Sequence, residues 1–123
     1  MEFNGQKVKF TESTQVKEGV TCDVYEFEGD DTKDIGIVRV SKGSKTPLQK
    51  VLSGDRTIER FEDGAGVLTV IDTEGMEHKY NFPSDKKEVE VKVGAVMQCD
   101  ATGDLTFTEI CYPPFQDGRF LNL

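Results

Sequence analysis

Apolar and polar residues alternate with a period of two along most of this chain. Residues 20–28 set Val20, Cys22, Val24 and Phe27 among polar neighbours, and residues 35–40 form a second extended run. Further runs occupy 57–62, 66–72, 77–82 and 88–93, then 95–99 and 104–111. They are rich in Val, Ile, Thr, Phe and Tyr, which suit a pleated, half-buried surface. Between them lie clusters of Gly, Asp and Ser at 28–31, 41–44, 53–55, 63–66, 73–75, 83–85 and 101–104. Gly supplies positive φ, and Asp and Ser bond their own backbone, so these clusters break strands. No amphipathic helical stretch competes with the alternation. The pattern predicts about eight short strands, hence an all-β sandwich or closed barrel. Pro113 and Pro114 lack ladder donors and end the last strand. The segment beyond them is expected to lie across the barrel surface, anchored by Phe115 and Phe120.

The 123 residues fit one domain, with 1–19 as an N-terminal extension or strand and 112–123 as a C-terminal tail. A chain of this size buries enough surface to fold without a disulfide or a metal. No apolar run approaches the ~20 residues of a spanning helix, and no basic-then-apolar segment opens the chain. The expectation is a cytoplasmic protein without a membrane partner. Fifteen basic and 23 acidic residues leave a net charge of −8, which argues against nucleic acid and anionic lipid as partners. That charge reads first as a solubility feature. The three cysteines, Cys22, Cys99 and Cys111, are odd in number and form no Cys-x-x-Cys pair. Each sits in an apolar or alternating run, where a free Cys acts as a small buried hydrophobe. Cys99 is the best candidate for a reactive thiol.

Residues 43–51 (Gly43, Ser44, Lys45, Thr46, Pro47, Leu48, Gln49, Lys50, Val51) resemble the first conserved motif of cupins, in which a Gly and a Thr-Pro step lead into a His-x-His pair. The run from Thr57 to Val70, with its Gly64-Ala65-Gly66 turn, looks like the rest of that motif. Residues 88–111, with turns at Gly94 and Gly103-Asp104, are similar to the second motif, and 109–115 to a cupin tail. The resemblance covers roughly residues 35–115 and implies a double-stranded β-helix of the jelly-roll type. It also implies a homodimer.

The departures from that family shape the functional expectation. Metal-binding cupins take two His and a carboxylate from the first motif and one His from the second. Here Gln49 and Val51 stand at the first two positions, Thr57 and Glu59 near the third, and Met97 and Gln98 near the last. The one histidine, His78, lies between the motifs and cannot supply such a set. Neither a metal nor another cofactor is expected.

In the cupin register Gln49, Glu59 and Gln98 point into the barrel and are candidates to bind a small polar ligand, a sugar or a carboxylate. Arg56, with Arg60 and Lys50, is a candidate anion contact at the barrel mouth; ordinary pairing with Glu59, Glu62 and Asp63 is the plainer reading. Two other functions compete. A metal-independent sugar or nucleotide-sugar isomerase or epimerase would use His78 as base, with Tyr112 or Glu59 as partner, provided His78 points into the cavity. A structural dimerisation module would have a filled barrel and a large apolar interface. The balance leans away from an enzyme.

Overall fold

The computed structural model describes residues 2–114 and 119–123. The strands are β1 (Glu2–Phe3), β2 (Gln6–Lys17), β3 (Val20–Phe27), β4 (Asp30–Val40), β5 (Gln49–Val51) and β6 (Arg56–Asp63). They continue with β7 (Gly66–Ile71), β8 (Glu77–Phe82), β9 (Glu88–Val91), β10 (Val96–Ala101), β11 (Leu105–Tyr112) and β12 (Phe120–Asn122). The runs expected from alternation are β3, β4 and β6 to β11. The N-terminal extension is mostly β2, and the tail contributes β12. Phe115 falls outside the described residues.

One sheet has seven strands in the order β1-β2-β3-β4-β11-β6-β9, the other five in the order β12-β5-β10-β7-β8. Distant strands are neighbours: β11 pairs with both β4 and β6, and β10 with both β5 and β7, all antiparallel. These crossovers between two facing sheets make a jelly roll, the all-β architecture expected from the sequence.

The main core lies between the sheets. Val20, Val38 and Val40 of one wall meet Leu68, Val70 and Met97 of the other. At one end Phe61 stacks on Phe82 at 4.9 Å and meets Phe107 edge-on at 6.2 Å. Fully burying each such side chain contributes about 1.5–3 kcal/mol. A second cluster joins Val8, Phe27, Ile35 and Ile110, with Phe3 packed against it. Ile35 and Ile110 alternate with the inward-facing residues of their strands, so this cluster covers the outer face of the larger sheet.

β2 serves both the outer cluster and the space between the sheets because it carries a bulge. Phe10 pairs with Tyr25, but Val24 pairs with Glu12, leaving Thr11 as the extra residue. The Thr11 hydroxyl donates to the Val24 carbonyl at 3.0 Å. Val8 and Phe10 therefore face outward, whereas Glu12, Thr14 and Val16, of the same parity, face the space between the sheets.

Candidate ligand-binding cavity

The jelly roll is not filled. A cavity of about 250 Å³ lies between the sheets. Gln49, Glu59 and Gln98, the inward polar residues expected from the sequence, all line it. The amides have partners within the protein: Gln49 Nε2 donates to Asn122 Oδ1 at 3.0 Å, and Gln98 Nε2 to the Thr46 carbonyl at 3.0 Å. Glu59 is different. It is 2% exposed, and no N–H or hydroxyl donor among the described residues reaches either of its oxygens.

Three neighbouring strands of the larger sheet each turn one carboxyl inward: Asp34 from β4, Glu109 from β11 and Glu59 from β6. Register brings them together. Glu109 stands directly opposite Glu59 on one side and Gly36 on the other. The lack of a side chain at Gly36 makes room there for the Cys22 thiol, since a Cβ at that position would lie 2.9 Å from Cys22 Sγ.

Burial pushes the Glu59 carboxyl well above the usual carboxylate range, and the adjacent Glu109 pushes it further. Burial also raises Glu109, against the pull of a hydrogen bond from Glu59 and of the Arg119 guanidinium. Two carboxyls in this arrangement favour sharing a proton, with the hydrogen bond between them raising Glu59 and lowering Glu109. Glu109 also accepts from the Cys111 thiol, its Sγ 3.8 Å from Oε1, whereas Glu59 has no such donor.

The opposite wall is largely apolar. Leu68 comes from β7, Met97 and Cys99 from β10, and Phe120 from β12. All three cysteines are free thiols at the cavity wall. Burial, ahead of the nearby carboxyls, pushes Cys22 and Cys99 up to about 12 and Cys111 higher still. Such thiols stay protonated at neutral pH, which makes Cys99 a wall residue and not a nucleophile.

Other expected site residues lie elsewhere. Arg56 has the outward parity of β6, and its guanidinium rests 4.4 Å over the Tyr112 ring, itself part of the outer cluster. Arg60 shares that face and pairs with Glu62 at 3.3 Å. His78 shares a face of β8 with Tyr80 and Phe82, and its side chain is 42% exposed. It lies beyond the cavity lining, where its Nε2 is 2.9 Å from Asp72 Oδ2. That hydrogen bond is the main reason the Asp72 carboxyl sits below the usual range.

Sequence reasoning missed Asp34, Glu109 and Arg119. Arg119 is 3% exposed and donates to the carbonyls of Pro113 (2.7 Å), Arg56 (2.7 Å) and Tyr112 (3.1 Å). It thereby brings a cation close to Glu109.

No family model and no curated protein matches this sequence. Solved structures do resemble it. Oxalate decarboxylase from Bacillus subtilis is 16% identical, with a TM-score of 0.74 over 100% of this chain and 34% of that one. The Lactobacillus farciminis oxalate decarboxylase formate complex is 17% identical, with a TM-score of 0.68 over 94% of this chain and 33% of that one. The 7S globulin of Momordica charantia is 16% identical, with a TM-score of 0.68 over 91% of this chain and 34% of that one. This chain thus spans about a third of each of these proteins. All of them are cupin jelly rolls, and the cupin fold is what this chain shares with them. Its donor set at the family's ligand positions, two amides and the Glu59 carboxyl, does not fit a divalent transition metal. Among the described residues, no three of His, Cys, Asp or Glu are grouped to hold a metal ion.

Proposed function

We propose that this cupin-fold chain binds a small, mostly apolar molecule between its sheets, through one polar group directed at Glu59 and Glu109. The observation that carries this reading is Glu59: a carboxyl 2% exposed at a cavity wall, with no donor but the proton it shares. An unsatisfied buried polar group costs about 1–3 kcal/mol, and a bound donor would recover that cost. The cavity of about 250 Å³ exceeds the ~150 Å³ void that accepts a benzene ring. Its wall favours a less polar guest than the sugar or carboxylate expected from the sequence. Carboxyls at Asp34, Glu59 and Glu109 repel an anion, and on the Leu68 and Phe120 side the Gln49 and Gln98 amides already bond Asn122 and Thr46. The isomerase reading gains no support from His78, which is held by Asp72 away from the cavity.

The test is ligand-observed NMR on the full chain with a panel of small aromatic and aliphatic molecules, sugars and carboxylates. Compact apolar molecules carrying one donor should bind. Val38→Phe, which places a ring in the void, should abolish their binding while keeping the circular dichroism of the parent. A folded Val38→Phe protein that binds the same molecules equally well would remove the cavity as the site.

A further inference from the structure

A second, more polar cavity of about 610 Å³ adjoins the first, and Glu12, Val24 and Asp34 belong to both. Its other acidic residues are Glu26, Asp30 and Asp31. Among the described residues the one cation in its wall is Lys33, and it is occupied: Nζ donates to Gln6 Oε1 at 2.9 Å and lies 4.6 Å over the Phe27 ring. Acidic residues therefore border an apolar chamber whose wall carries the buried Glu59 and the half-buried Glu109. Converging charge of one sign with low-dielectric walls raises the local concentration of the opposite ion.

We propose that the ligand is an organic cation, a primary ammonium on a compact apolar body, with its N–H groups donated to Glu59 and Glu109 and its body against Leu68, Met97 and Phe120. This rests on the reading of the cavity as the binding site and adds the ligand's charge. An ammonium supplies several donors to the Glu59 carboxyl, whose two oxygens no N–H or hydroxyl among the described residues reaches. Hydrogen bonds to ionised groups are stronger than neutral ones, so a neutral alcohol of the same shape binds less tightly.

The inference carries a pH dependence. The groups that bear on the carboxyl pair are Asp34 from β4, Cys22 from β3, Cys99 from β10, Cys111 beside Glu109 on β11, and Arg119 ahead of β12. The thiols remain neutral across the working range, so the proton shared by Glu59 and Glu109 is the one that varies. A bound ammonium favours the ionised pair and displaces that proton. Cation affinity therefore rises with pH, and a neutral guest gains nothing from the same rise.

The experiment is calorimetric titration of the full chain with benzylamine, benzyl alcohol and benzoate at about pH 5 and about pH 8. Benzylamine should bind about tenfold or more tightly than benzyl alcohol at the higher pH, and its advantage should shrink at the lower one. Benzoate should not bind. Glu59→Gln should bring the amine and alcohol affinities together by weakening the amine the more; Glu109→Gln serves the same purpose should the first variant fail to fold. Equal affinities for amine and alcohol in the parent protein would overturn the cation inference and leave the cavity reading standing. Binding of none of the three would overturn both.

Discussion

Glu59 and Glu109 are cross-strand partners on β6 and β11, and both side chains point into the barrel. Like charges directly opposite one another destabilise a sheet, so this pair weakens the fold whenever it loses its shared proton. Both folded-state pKa values are raised. The folded protein therefore binds more protons than the unfolded chain above the unfolded carboxyl pKa of about 4.3, and stability falls as pH rises through the folded values.

Glu59→Gln should remove much of that fall. The variant's amide can donate to Glu109, which the ionised carboxylate cannot. Parent and variant should melt alike near pH 4, where the parent side chain is neutral. The variant should melt higher near pH 8, by about 3–5 °C for each kcal/mol recovered. Thermal melts across this range read the difference directly, and a difference independent of pH would refute the shared-proton account.

Arg119 should be a stability hot spot despite lying just before a three-residue edge strand. Its fork ties the Tyr112-Pro113 backbone to the start of β6, and Gly54 leaves room for it: a Cβ there would come within 2.6 Å of the guanidinium. Arg119→Met should cost about 3 kcal/mol or more in urea unfolding by stranding buried carbonyls. Arg119→Lys should recover less than half, because an ammonium cannot span the fork. A loss under about 1 kcal/mol for Arg119→Met would contradict this role.

Much of this architecture was visible in the sequence, and the gaps have physical causes. Strict alternation at 77–82 and 88–93 appears as β8 and β9 with little change in boundary. β2 was unreadable as one amphipathic strand because the Thr11 bulge puts Phe10 and Glu12, of equal parity, on opposite faces. β5 and β12 have three residues each, too few to show a period. Glu59 was found through the cupin register. Glu109 was within reach, since it keeps step with Leu105, Phe107 and Cys111 on β11. A charged residue at an inward position breaks the hydrophobic pattern, and that break was the available signal.

Gly64 and Gly75 allow the backbone and steric terms to be separated. Both have positive φ, 95° and 85°. A Cβ at Gly64 would meet the Asp104 carbonyl oxygen at 1.9 Å, whereas one at Gly75 meets nothing within 4 Å. Gly75→Ala should cost about 1–3 kcal/mol from the left-handed backbone alone. Gly64→Ala should cost distinctly more, because the obstacle is main chain that cannot rotate away. Denaturant midpoints of the two variants provide the comparison, and equal losses would show that the loop at Asp104 yields freely.

The thiols should be silent in the folded protein. With Cys22 and Cys99 at about 12, roughly one thiol in 10⁴ is ionised near pH 8. An aromatic disulfide reagent should label none of the three within minutes in buffer and all of them in denaturant. Rapid labelling of the native protein would show that solvent reaches the barrel interior more freely than the packing of Cys99 and Cys111 allows.

The cavity is two-sided: Asp34, Glu59 and Glu109 come from one sheet, while Leu68, Met97, Cys99 and Phe120 come from the other. A guest held between such walls has its long axis assigned by the protein, with the head on one sheet and the body on the other. The sheets are also twisted and built from L-residues, so the chamber has handedness as well as polarity. A branched guest and its mirror image cannot place head and side group on the same surfaces together. Were such a guest bound, enantiomeric selection would follow from the division of labour between the two sheets.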